Sequence, residues 1–347
     1  MKTIRDFLLE SMADGAFPGA CWQIGTVNDI LEQGSVGTLG EGLENVTADS
    51  LYDLASVTKI IVTCALMRQF QEGLFRLDDP IGLYLPAYAD HPKGSITIKE
   101  LLTHTSVIPG QLQLYRHAHT RKDLLEAIRW QLPRADSPDR VAYTSKGYIV
   151  LGEVVAAIDH STLDEVVRRR VLEPLQMTDT CWNPPEALLP RIAATEFCPW
   201  RGKIVRGQVH DENAVVMEGV AGHAGLFSTA RDVSRIAAAM LGANIPGTEE
   251  PFFHPATIAL MTRNYTPGRG EHRGLGFILV GPNAPAGDLM SPTSFGHTGF
   301  TGTSIWVDPE KGLYAVLLSN RIHPNRDNPK IFRVRHIFHN LAVLTYT

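Results

Sequence analysis

Asp53-Leu54-Ala55-Ser56-Val57-Thr58-Lys59, running straight into Ile60-Ile61-Val62-Thr63-Cys64-Ala65-Leu66-Met67, decides how the chain is read. The second half is apolar on nearly every side, which predicts a buried helix whose first turn carries Ser56 and Lys59. Gln71-Glu72-Gly73 ends it, with Gly73 where a left-handed cap is cheapest. Residues three apart on a helix share a face, their Cβ atoms roughly 5–6 Å apart. A lysine seldom enters a buried face without a partner. One turn from a serine hydroxyl, its amine can take the hydroxyl proton, or its charge can stabilise the alkoxide. The helix start adds unpaired N–H groups and the positive dipole end, both suited to a developing oxyanion. The plain alternative makes Ser56 a helix cap and lets Lys59 snorkel to solvent.

Composition narrows the classes. A chain of 347 residues, 44% hydrophobic and 20% charged, is ordinary globular material, enough for one large domain or two packed lobes. Net charge is -5, with no basic stripe for nucleic acid and no polybasic helix for a membrane surface. Cys21, Cys64, Cys181 and Cys198 lie far apart and read as free buried thiols. Met1 to Glu10 reads as an acid-bearing amphipathic helix rather than a signal peptide, and no apolar run approaches the roughly 20 residues of a membrane span. A cytoplasmic protein is the expectation, or an exported one if a leader was removed.

Along the chain, Gly19 to Gly25 and Leu31 to Gly37 read as a strand hairpin. Thr97 caps a short helix, and residues 121–131, 145–158 and 161–173 carry helical periodicity. From 178 to 227 the chain suggests long ordered loops, after which Ser228 to Asp232 cap a helix to Leu241. Gly274 to Val280, Ser294 to Gly299, Thr303 to Asp308 and Leu313 to Ser319 read as successive strands, with a turn at Pro309-Glu310-Lys311-Gly312 and a closing helix over 329–345. The economical fold is α+β. The N-terminal hairpin joins the C-terminal meander in one antiparallel sheet (1–75 with 225–347), terminal helices cover that sheet, and 76–224 is a mainly helical insertion.

Three clusters in order resemble the serine β-lactamases and penicillin-recognising DD-peptidases, in particular the class C-like branch with its D-peptidases and esterases. They are Ser56-Val57-Thr58-Lys59, Tyr143-Thr144-Ser145-Lys146-Gly147-Tyr148 continuing to Leu151-Gly152, and His297-Thr298-Gly299. Leu77-Asp78-Asp79-Pro80 and Leu101-Leu102-Thr103-His104-Thr105-Ser106 add to the match, which spans about residues 15 to 321. The resemblance implies a β-lactamase/transpeptidase-like fold with the active site between the two parts. It implies an acyl-enzyme on Ser56, with Lys59 and Tyr143 carrying the proton and the backbone N–H groups of Ser56 and Phe300 forming the oxyanion hole. At ordinary pKa values of about 10 both proton carriers are weak bases, so each needs tuning by the other, and either is open as the base. Ser145, His297, Thr298 and Gly299 are the expected substrate contacts, with Gly299 on an edge strand close to substrate.

Two departures point away from penicillins and from free D-Ala-D-Ala ends. Ser145 stands where the family usually has Asn, and His297, partly charged near neutral pH, where β-lactamases usually have Lys. Short esters, small amides or peptides are therefore the expected substrates, ahead of a peptidoglycan-directed D-peptidase or muropeptide amidase and then a β-lactamase. A penicillin- or muropeptide-binding sensor is the non-enzyme alternative. Val209 to Ala214 and Gly219 to Phe227 resemble segments of muropeptide-processing hydrolases, and read either as a cleft edge or as a pinned Gly-rich loop. His117-x-His119 lacks metal-ligand spacing, and no Gly-x-Ser-x-Gly elbow is present, so neither a metal nor any other cofactor is called.

Overall fold

Thr3 opens the chain's first helix by accepting the Asp6 N–H, and Ile4 and Leu8 turn inward from it (α1, Ile4–Ala13). The computed structural model describes residues 2–110, 113–133 and 140–347. The hairpin follows as β1 (Gly19–Gly25) and β2 (Ile30–Gly37), then β3 (Tyr52–Asp53) and a single 3₁₀ turn at Ala55–Val57. That turn runs directly into α2 (Thr58–Gln71), where only Arg68, Phe70 and Gln71 escape full burial. Gly73 has φ +74°, the left-handed exit expected of it.

The middle of the chain supplies α3 (Ile98–Leu102), α4 (Arg121–Trp130), α5 (Ser145–Ile158) and α6 (Leu163–Val167), which continues through a wide π-type turn at Arg168–Leu172. Thr97 and Glu100 close a reciprocal capping box at the start of α3, as Thr120 and Asp123 do for α4. The loop-rich stretch holds four two- or three-residue strands: β4 (Cys181–Trp182), β5 (Phe197–Cys198), β6 (Lys203–Ile204) and, after the short helix α7 (Glu212–Val216), β7 (Leu226–Ser228). Periodicity cannot flag pieces this short. α8 (Ala230–Met240), capped by Thr229, and α9 (Pro255–Met261) lead to β8 (Ile278–Leu279), β9 (Phe295–Thr298), β10 (Ser304–Asp308), β11 (Leu313–Ser319) and α10 (Lys330–Tyr346).

The main sheet has the order β2-β1-β11-β10-β9-β8, antiparallel at every pairing. The pairing of β1 with β11, Ala20 opposite Ser319 through Gly25 opposite Tyr314, joins the two ends of the chain. One face packs on α1 and α10 through Ile4, Leu8, Trp22, Trp306, Leu317 and Phe338; the other meets α8 in the larger core, to which α2 also belongs. Every strand of this sheet lies in 1–75 or 225–347.

One predicted strand is corrected. Gly274 to Val280 pairs only at Ile278 and Leu279. The backbone N–H groups of Leu275 and Gly276 are instead drawn to Met261 O and Leu102 O, and Gly276, at φ +82°, lies against Thr63, where a Cβ would sit 2.4 Å from Oγ1. Local docking on α2 and α3 thus outcompetes the ladder. α9 was absent from the sequence expectation altogether.

Candidate active site

The turn bearing Ser56 is held in an uncommon shape. Ala55 has φ +46°, a left-handed value that side-chain-bearing residues seldom adopt. Buried Asp53 supports it, accepting Ala55 N–H at 2.8 Å through one carboxylate oxygen and His210 N–H at 2.6 Å through the other. Burial raises the Asp53 pKa, and these donors oppose the shift. From the other side Thr301 Oγ1 donates to Asp53 O (2.7 Å) and Thr303 Oγ1 to Leu54 O (3.0 Å). The loop after β9 is therefore stapled to the turn before α2.

Around the Ser56 hydroxyl the three expected groups meet. Lys59 Nζ donates to Ser56 Oγ at 2.9 Å, and Tyr143 OH donates to the same oxygen at 2.7 Å. Lys59 is fully buried, and no carboxylate pairs with it among the described residues. Its second acceptor is His223 O at 3.0 Å, and its ammonium lies 5.1 Å and 5.7 Å from the ring centroids of Tyr143 and Tyr148. The Gly-rich loop thus supplies a backbone carbonyl to Lys59. Two glycines permit that approach: a Cβ on Gly222 would stand 2.1 Å from Tyr148 O and 2.9 Å from Gly152 N. His223 Nε2 meets Asp211 Oδ1 at 2.9 Å, and although burial alone would raise Asp211, the His223 charge and hydrogen bond hold it well below the usual carboxylate range.

Tyr143 is itself clamped. His104, another left-handed residue (φ +57°), accepts Ala142 N–H on its carbonyl (2.9 Å) and Thr144 N–H on Nδ1 (3.3 Å), while its ring stands 4.6 Å from that of Tyr143. Thr144 then caps α5, placing Ser145 in the first turn, largely buried. Arg273 lies over the Tyr143 ring, 5.4 Å from its centroid, and is tethered to Glu271. No sequence motif marks Arg273; a cation beside the second cluster is visible only in three dimensions.

His297 requires a correction. Its ring is 2% exposed, with Nδ1 2.8 Å from Thr298 O and Nε2 buried without a partner among the described residues. Burial first, then the charges of Arg273 and Lys59, holds it well below its ordinary value, so it is neutral rather than partly charged near pH 7. His104 is held down by the same causes. The reason for Gly299 also changes. β9 is interior to the sheet at Phe295 and Gly296 and open only at His297 and Thr298, because β8 is two residues long. What demands glycine at 299 is the nucleophile loop: a Cβ there would lie 2.4 Å from Leu54 O and 2.0 Å from Thr303 Oγ1.

Gly299 N–H is spent on Thr303 O (2.8 Å), while the N–H of Phe300 has no protein acceptor among the described residues. The Phe300 ring, 43% exposed, stacks on His210 with centroids 5.5 Å apart. No group of three His, Cys, Asp or Glu able to hold a metal occurs among the described residues, nor does a helix long and apolar enough to cross a membrane.

A family model described as beta-lactamase matches residues 4–339. A protein of Escherichia coli K12 named "Putative D-alanyl-D-alanine carboxypeptidase" is 34% identical over 323 residues, covering 82% of this chain and 73% of that protein. The octameric penicillin-binding protein homologue from Pyrococcus abyssi has a TM-score of 0.77 at 22% identity, over 99% of this chain and 76% of its own. The class C beta lactamase from Rhodobacter sphaeroides has a TM-score of 0.76 at 18% identity, over 99% of both chains. The structural likenesses speak for the fold; the family match and the one-third-identical relative go further, and the chain belongs to the beta-lactamase family as a β-lactamase-like serine hydrolase.

Proposed function

We propose that this protein hydrolyses small ester, amide or peptide substrates through an acyl-enzyme on Ser56. The observation that carries the reading is the convergence of Lys59 Nζ and Tyr143 OH on Ser56 Oγ, at 2.9 and 2.7 Å. Both lie within the reach that proton transfer requires. In the forward step the deprotonated member of the Lys59–Tyr143 pair, a neutral amine or a phenolate, takes the Ser56 Oγ proton as Oγ attacks the acyl carbon, and the leaving group departs with that same proton. Water then repeats the sequence on the acyl-enzyme. Buried, carboxylate-free Lys59 lowers the free energy of an alkoxide at Oγ. The Ser56 and Phe300 N–H groups are the proposed oxyanion donors, and Ser145, His297, Thr298 and Gly299 the proposed substrate-side group, with His297 acting as a neutral wall rather than a cation.

Within this class a peptidase acting on D-alanyl-D-alanine ends has specific support. The relative's name points to it, and Arg273 offers a fixed cation beside Tyr143 that His297 does not. The test is a panel of p-nitrophenyl acetate and butyrate, nitrocefin, D-Ala-D-Ala peptides and a muropeptide, with wild type and Ser56→Ala. Turnover of an ester or D-peptide that vanishes in Ser56→Ala supports the proposal; turnover unchanged in that variant refutes it. Release of D-alanine that weakens in Arg273→Gln, with ester turnover kept, selects the D-peptidase reading.

A further inference from the structure

Two arginines lie behind the loop that presents Phe300, and neither has a carboxylate partner within ion-pair distance among the described residues. Arg335, on α10, is 3% exposed; its Nη2 donates to Gly299 O at 2.5 Å and to Thr303 O at 2.8 Å. Arg321, following β11, donates from Nε to Phe300 O at 2.9 Å and from Nη1 to Arg326 O and Asn328 O. Arg335 Nε is buried with no partner at all among the described residues. A buried, unpaired guanidinium is an expensive way to stitch two carbonyls together, since a neutral amide donor would do so without the desolvation penalty of a charge. Burial, helped by the neighbouring charge of Arg321, pushes Arg335 down to about 9, so the group remains a cation near neutral pH.

The carbonyl it grips gives the charge a purpose. Gly299 O and Phe300 N–H belong to one planar, conjugated peptide group. A cation on the oxygen draws electron density through the amide, and hydrogen bonds linked in this way strengthen one another. The charge therefore leaves the N–H more positive. Arg321 fixes the next carbonyl, Phe300 O, and so the direction in which that peptide faces.

We propose that Arg335 is a positioning residue of the oxyanion hole, polarising the Gly299–Phe300 peptide from behind so that the Phe300 N–H binds the tetrahedral oxyanion more strongly than an ordinary amide would. The inference rests on the acyl-enzyme reading above. It makes the C-terminal helix, whose Arg335 lies 36 residues beyond Gly299 in sequence, part of the electrostatics of the site.

The test compares Arg335→Lys, which keeps a cation, with Arg335→Gln, which keeps a neutral donor. Each is first checked for native melting behaviour and near-UV circular dichroism. Three readouts follow: kcat and KM on a p-nitrophenyl ester, and inhibition by an aryl boronic acid, whose boron accepts Ser56 Oγ and places an oxygen in the hole. Removing an oxyanion donor outright lowers kcat about 10²–10³-fold, so weakening one predicts a loss of roughly 5–30-fold in Arg335→Gln. Boronate affinity should fall in parallel, KM should stay within about twofold, and Arg335→Lys should recover most of both losses. Equal behaviour of the Lys and Gln variants, or a loss shared equally by KM and kcat, assigns Arg335 a purely structural role and overturns the inference, as does an unchanged kcat in Arg335→Gln. If Arg335→Gln does not fold, Arg335→Lys and Arg335→Met in the same assays decide it by the same criterion. A fluorophosphonate label on wild-type Ser56 separates the two levels. With no label the acyl-enzyme reading and this inference fall together, whereas a label with unchanged variant kinetics sinks this inference alone.

Discussion

Ser56 Oγ receives two donors, and their removal should differ in kind. Lys59→Met takes the buried amine from beside the hydroxyl and should lower kcat by about 10²–10⁴, the usual worth of a positioned acid–base group. Tyr143→Phe keeps the packing on His104 and should lower kcat comparably, with thermal stability changed by less than about 1 kcal/mol. Pre-steady-state acylation with a p-nitrophenyl ester checks both. A full burst retained in either variant would remove that residue from the chemistry. Three buried histidines add a pH dependence of stability. His104 and His297 are held well below their ordinary value, and His339 is pushed down to about 3 by burial and then by Arg335. Their folded pKa values lie below the unfolded value of about 6.5, so the unfolded chain binds protons that the folded chain does not. Stability should be full above about pH 6.5 and fall below it, by up to about 1.4 kcal/mol per pH unit for each histidine. Thermal melts from pH 8 to 5 should show the decline, and a flat profile would contradict it.

At the level of elements, the sequence was legible wherever a long period or a strong cap existed. The apolar run after Lys59, the Thr97 cap and the apolar run in Leu313 to Ser319 each predicted their element within a residue or so. It failed where tertiary contacts decide. Gly274 to Phe277 has a strand's composition, yet the N–H groups of Leu275 and Gly276 serve α9 and α3. In the candidate site, Ser56, Lys59 and Tyr143 were readable because chemistry restricts those positions to few residue types. Arg273, Arg335 and the His223 carbonyl were not, because any sequence context can deliver a cation or a backbone oxygen. That carbonyl depends on close packing between the Gly-rich loop and α5. Gly222→Ala would place a Cβ 2.1 Å from Tyr148 O. The loop must retreat, at a cost of roughly 1–3 kcal/mol for overpacking. Lys59 then loses one of its two acceptors, and kcat should fall along with the melting temperature; a variant as active and stable as wild type would show that the loop does not hold the lysine.

For the molecule as a whole, the two chain ends build one sheet, and that sheet brings the third motif to the first. β1 pairs with β11, β11 with β10, and β10 with β9, so the position of Gly299 beside Leu54 is set by contacts spanning nearly the entire sequence. Such non-local pairing carries a high loop-closure cost during folding, which makes slow refolding the expectation for this chain. The arrangement also explains why a terminal helix supports the proposed oxyanion peptide: α10 covers the sheet face directly behind the end of β9. The central claim remains a covalent one, that the hydroxyl gripped by Lys59 and Tyr143 is the group that takes the acyl chain. Incubating the protein with a fluorophosphonate, then digesting it and mapping the adduct by mass spectrometry, tests this most directly. A single adduct on Ser56, absent from Ser56→Ala and slowed in Lys59→Met, is the predicted result; an adduct on another residue, or none while ester turnover continues, would contradict it.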